Sequence, residues 1–133
     1  MSRRSANLES LLGPLEQDVM DVAWRLGDAT VRDVHAELVE KREIAYTTVM
    51  TTMARLARKG MLQRDTADLA HRYRPVLSRE QYGRGAVGDV FAWLLDRYPE
   101  PAVAYLADVV DELDDLTLEQ LRDAVARRRA QES

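Results

Sequence analysis

Residues 44–60 read IAYTTVMTTMARLARKG, and the way this stretch folds decides how the rest of the chain is read. Four of its residues, Thr47, Thr48, Thr51 and Thr52, are β-branched, and on composition alone they favour a strand. The spacing says otherwise. At about 100° per residue, Val49, Met53, Leu56 and Ala57 fall on one side, with Tyr46 and Met50 at its margin. Thr47, Thr48, Thr51, Thr52, Arg55, Arg58 and Lys59 fall on the other, and a two-residue period would mix the two sets. The stretch is predicted as a helix stopped by Gly60. Each threonine costs a helix interior roughly half a kcal/mol relative to alanine. Local stability therefore does not explain the polar side, and a partner would.

Upstream, residues 14–26 open with Pro14, whose missing N–H suits the first helical position. Leu15, Val19, Val22, Ala23 and Leu26 recur at helical spacing, Met20 and Trp24 widen that face, and Gly27 fits a C-cap. Glu16 and Asp18 suit the positive end of the helix dipole. A second helix is predicted from Thr30, with Asp33 at the capping-box position, a stripe of Val31, Val34, Leu38 and Val39, and an end near residues 41–43. Downstream the period changes. MLQRD (61–65) and HRYRPV (71–76), joined by a turn in TADLA (66–70), predict a two-stranded hairpin with Tyr73 inward and Arg72 and Arg74 outward. Pro75 ends it. Ser78 and Gln81 form a second capping box, for a helix running to about Asp96 with Gly83, Gly85 and Gly88 weakening its first half. Pro101 starts a further helix, and Thr117 with Gln120 caps the last.

The resulting fold class is mainly α with a small β-hairpin wing: a winged helix-turn-helix followed by a helical dimerisation domain. The expected division is a flexible arm over 1–12, a DNA-binding domain over 13–77 and the dimerisation domain over 78–133. Hydrophobic residues make up 46% and charged residues 32% of the 133, a balance that favours folding over disorder. There is no cysteine, which excludes disulfides and thiolate metal sites and fits a reducing compartment. No apolar run approaches the roughly 20 residues that span a bilayer, so the expected location is the cytoplasm, with no membrane partner.

The net charge of −4 argues against nucleic acid, but its distribution argues for it. Residues 41–79 hold Lys41, Arg42, Arg55, Arg58, Lys59, Arg64, Arg72, Arg74 and Arg79 against only Glu43, Asp65 and Asp68. The acidic excess lies beyond residue 82. A basic window beside an acidic tail is expected if one unit meets phosphate and another does a different job. In this frame the third helix enters the major groove. Tyr46, Thr47, Thr48, Met50, Thr51, Arg55, Arg58 and Lys59 are its candidate DNA-binding residues, with Arg64, Arg72 and Arg74 on the wing. A threonine hydroxyl exchanges hydrogen bonds with phosphate or base, its methyl packs on thymine, and arginines neutralise phosphate.

Three runs carry a resemblance: LEQDVMDVAW (15–24), AYTTVMTTMARLARKGML (45–62) and HRYRPVLSREQY (71–82). Together they resemble the BlaI/MecI penicillinase-repressor family, which includes copper-responsive CopY-type repressors. The likeness is clear over residues 14–82, and beyond them the helical layout alone is shared. The resemblance implies a homodimeric repressor on an inverted-repeat operator of resistance or cell-envelope-stress genes, dimerised through its C-terminal helices and released by a signal. Copper-responsive members use a cysteine motif, and this chain has no cysteine. β-Lactam-responsive members are cleaved at an Asn-Phe bond. Residues 83–133 contain no such pair, so a sensor protease acting there is unsupported.

The tail also reads as a dimer element by itself. Val90, Phe91, Leu94, Leu95, Val103, Leu106, Val110, Leu113, Leu118 and Leu121 are the candidate dimerisation residues. A segment this small is poorly able to bury them alone, and a symmetry mate solves the problem. No catalytic constellation, metal site or cofactor is expected. His35 and His71 lack neighbouring ligand patterns, Ser78 is explained as a cap, and no phosphate- or dinucleotide-binding fingerprint occurs. The competing reading is a winged helix that assembles with proteins without touching DNA.

Overall fold

The structure, a computed structural model, describes residues 8, 11–67 and 69–132. Its elements are α1 (Pro14–Leu26), β1 (Ala29–Thr30), α2 (Val31–Leu38), α3 (Tyr46–Arg58), β2 (Leu62–Asp65), β3 (Arg72–Pro75), α4 (Arg79–Arg97), α5 (Pro99–Asp111) and α6 (Asp115–Glu132). They fall into two compact units, one through Val90 and one from Phe91 onward.

The first unit is built on the stripes the sequence displays. Val19, Met20 and Ala23 of α1, Val34 and Leu38 of α2, and Val49, Met53 and Leu56 of α3 form one core, joined by Met61, Leu62 and Tyr73 from the sheet. The caps do what their residues allow. Gly27 takes φ +82° after α1 and Gly60 takes φ +81° after α3, a region other residues avoid. Thr30 Oγ1 accepts from the Asp33 N–H, and the Asp33 carboxylate accepts from the Thr30 N–H. Ser78 and Gln81 close the same reciprocal box ahead of α4.

The expected hairpin is part of a three-stranded antiparallel sheet in the order β1-β3-β2. Ala29 pairs with Tyr73 and Thr30 with Arg72, while Arg64 pairs with Tyr73 on the opposite edge. A two-residue strand is too short to show a period, which is why β1 is silent in the sequence. Tyr73 is buried and Arg72 and Arg74 are exposed, as the alternation predicts. The second helix stops at Leu38 rather than near residues 41–43, and Val39 is exposed.

The segment 1–12 lies largely outside the described residues. Within it Leu12 packs against the core, and its N–H donates to the Tyr82 hydroxyl at 3.0 Å. Trp24 stacks near Tyr82 and donates its Nε1–H to the Leu77 carbonyl. These contacts hold the start of α4 to α1, and the first compact unit runs into α4, to Val90.

In the second unit α5 begins at Pro99, not Pro101. The last helix is capped by Asp114, whose carboxylate accepts from the Thr117 N–H, so Thr117 is inside the first turn and not the cap. Gly83, Gly85 and Gly88 do not interrupt α4. Arg97 lies over the Trp93 ring, 5.0 Å from its centroid, beside an edge-on Tyr98.

Candidate nucleic-acid interface

The exposed face of α3 carries Tyr46, Thr47, Thr48, Met50, Thr51, Arg55 and Arg58. Val49, Met53 and Leu56 anchor the other face with no exposure at all. The helix is thus fixed by three apolar side chains while its hydroxyls and guanidiniums stay in water. Arg58 and Arg64 have no ion-pair partner among the described residues. Arg72 and Arg74 are held only loosely, 3.8 Å from Asp28 and 4.0 Å from Asp65, with about half of each side chain exposed. Contacts that open are worth little in water and are readily exchanged for phosphate.

Two residues of the polar side have partners within the chain. Thr52 is buried, 3% exposed, and its hydroxyl donates to the Thr48 carbonyl at 2.7 Å. It is three residues after Val49 and four before Leu56, so it falls beside them on the buried side of the helix and not with the polar set in which the sequence places it. Lys59 is exposed, and its ammonium is paired with α1. Its Nζ donates to Glu16 Oε1 at 3.0 Å and lies 2.9 Å from Oε2, with a third of the side chain exposed. The Lys59 ammonium thus ties α1 to the end of α3, with part of its side chain still open to solvent.

Glu16 is the buried charged residue among the described residues of this unit, 7% exposed. Burial pushes its carboxyl up. The Gly13 N–H at 2.9 Å, the Lys59 ammonium and the more distant Arg55 charge outweigh burial and hold it below its ordinary value of 4.5.

His35 does more than the sequence suggests. Its Nε2 is 2.9 Å from the Ile44 carbonyl, and its ring meets Tyr46 edge-on at 5.6 Å. It spans the turn between α2 and α3 and braces the first residue of the exposed face. A histidine nine residues before the carbonyl it meets gives no sequence signal for this. His71 is exposed on the wing.

No group of three metal-ligating side chains occurs among the described residues. None of the described helices is long and apolar enough to cross a membrane.

Of the dimerisation candidates, Phe91, Leu95, Val103, Leu106 and Leu121 are exposed and Val90, Leu94, Val110, Leu113 and Leu118 half-buried. A groove of about 690 Å³ runs between α5 and α6, with Val110, Leu113, Leu118, Leu121 and Val125 in its walls.

A helix-turn-helix whose second helix shows hydroxyls and guanidiniums, flanked by a cationic wing, defines a winged-helix transcription factor. Residues 12–127 match the family described as Penicillinase repressor. The chain is 39% identical over 120 residues to the transcriptional regulator BlaI of Mycobacterium tuberculosis, spanning 90% of this chain and 86% of that one. It is 28% identical over 113 residues to an uncharacterized 16.5 kDa protein in the ptsI 3′ region of Latilactobacillus sakei, spanning 84% and 77%. The solution structure of the DNA binding domain of the repressor BlaI superposes with a TM-score of 0.49 at 25% identity, covering 55% of this chain and 89% of that one. The chain belongs to the penicillinase repressor family. It is a winged-helix transcriptional repressor and not an enzyme, and membership favours that role over the protein-assembly reading.

Proposed function

We propose that the protein represses transcription in the cytoplasm as a homodimer bound to an inverted-repeat operator, one α3 in each half-site. The regulated genes are those of antibiotic resistance or cell-envelope stress. The carrying observation is the exposed α3 face of Thr47, Thr48, Thr51, Arg55 and Arg58, left open while Val49, Met53 and Leu56 are fully buried behind it. Tyr46 and Met50 flank that face and supply apolar contact to base edges. Arg64, Arg72 and Arg74 hold the neighbouring backbone. The second unit supplies the dimer contact through the apolar side chains of α5 and α6. With no cysteine in the chain, a thiolate copper switch has no ligands.

Capture of bound DNA across the genome, with and without cell-wall stress, supplies the operator and the release signal. A mobility-shift titration on that operator then tests the face. Thr51→Val and Arg55→Ala are expected to weaken binding while leaving thermal unfolding nearly unchanged. Affinity is expected to fall by orders of magnitude between about 50 and 200 mM salt. Unchanged binding by both variants, or a flat salt response, rejects the proposal.

A further inference from the structure

We propose that the furrow between α3 and the wing seats one DNA strand, and that Leu69 at the wing tip meets the minor groove beyond it and selects A·T over G·C there. The inference rests on the reading of α3 as the major-groove helix. The furrow encloses about 700 Å³. Tyr46 and Met50 of α3 line it together with Arg64, Leu69 and His71 of the wing, and Arg32 at the start of α2.

In a duplex, the sugar–phosphate strand is what separates the major groove from the minor. A helix in the major groove, with a second projection across a furrow, therefore places that strand in the furrow and the projection over the minor groove. The furrow has the charge for it. Arg32 and Arg64 are exposed and have no ion-pair partner among the described residues, and His71 is exposed beside them. The Asp65 carboxylate is occupied by the chain's own donors, the Ala67 N–H at 2.9 Å and Arg74 at 4.0 Å.

Leu69 is the unexplained residue. It is fully exposed, 105% of its reference area, in the midst of a cationic hairpin. Folding gains nothing from an apolar side chain held there, whereas contact with DNA removes it from water. Apolar side chains are used in this way against minor-groove edges. In that groove A·T and T·A present acceptors alone, and G·C adds the guanine 2-amino donor. Leucine offers no acceptor, so a G·C pair beneath it leaves that donor dehydrated and unpaired.

The test uses the full chain and an operator recovered by selection from random duplexes, with the wing position located by minor-groove footprinting. Three duplexes differ at that pair: A·T, G·C and inosine·C. Inosine keeps the major-groove edge of guanine and lacks the 2-amino group. The wild type is expected to bind the G·C duplex on the order of tenfold more weakly than A·T, with inosine·C restored to the A·T level. Leu69→Ala is expected to abolish the difference. Equal weakness on G·C and inosine·C, no discrimination by the wild type, or discrimination retained by Leu69→Ala each overturns the proposal. If selection recovers no preferred duplex at all, the α3 reading fails with it, an outcome separate from those three.

Discussion

Glu16 and Lys59 show how a single buried carboxylate redirects a cation. The ammonium bridges both carboxylate oxygens, and Oε2 has no hydrogen-bond partner among the described residues apart from that ion contact. Lys59→Ala strands a mostly buried charge and is expected to cost about 1–3 kcal/mol, read by urea unfolding at pH 7. The pH dependence has a definite sign. The folded carboxyl titrates below its ordinary value of 4.5, so its contribution is fully present above that value and is lost as the pH falls through the lower folded one. The gap between wild type and Lys59→Ala is therefore widest at neutral pH and narrows below about 4.5. A gap of constant size would show that the pair is not what holds Lys59. Binding separates the cations further. Arg58→Ala is expected to lower the slope of log affinity against log salt by about 0.9, the loss of one phosphate contact, whereas Lys59→Ala leaves the slope unchanged. Thr52→Val, whose buried hydroxyl donates to the Thr48 carbonyl, is expected to leave operator affinity unchanged, in contrast to Thr51→Val.

At the scale of elements, the turn between α2 and α3 sets where the exposed face of α3 begins. His35 ties α2 to the Ile44 carbonyl and braces Tyr46. His35→Ala is expected to cost about 1 kcal/mol of stability, the ordinary worth of one such bond, and to weaken operator binding by more than that loss accounts for. Equal losses in unfolding and in mobility-shift titration would reduce His35 to packing alone. This contact also marks the limit of what spacing reveals. Long amphipathic elements were legible: α1 and α3 begin and end where Pro14, Gly27 and Gly60 place them, because caps and stripes are local properties. The exposed hydroxyl and guanidinium side of α3 followed from the same stripe. β1 was not legible, since two residues carry no period and Ala29 is held by pairing with Tyr73, forty-four residues away. Nor was the Glu16–Lys59 tie, whose partners are brought together only when α1 packs on α3. The α6 start was misread because Asp114 and Thr117 both suit a cap, and the carboxylate won.

For the whole molecule, the decisive contrast lies between the two units. The first has a core of fully buried side chains, and the second has none among the described side chains of residues 91–131. Phe91, Val103, Leu106, Leu116 and Leu121 remain exposed there. Apolar surface left open on this scale suits a partner, and in the proposed homodimer a second copy supplies an identical surface across a two-fold axis. Burying one leucine removes about 1.5–3 kcal/mol of exposure cost, so a charge placed at such a position opposes the dimer strongly. Leu106→Asp and Leu121→Asp are each expected to shift the protein to monomer in sedimentation-velocity runs. Wild-type melting temperature should rise with protein concentration and that of the variants should not, because only an associating fold is stabilised by mass action. Tethering two half-site binders multiplies affinity by roughly 10²–10⁴. The same variants are thus expected to lose that factor on a full operator while binding an isolated half-site as the wild type does. Loss on the half-site as well would mean that the substitutions disturb the first unit, and an unchanged dimer would place the interface elsewhere on the chain.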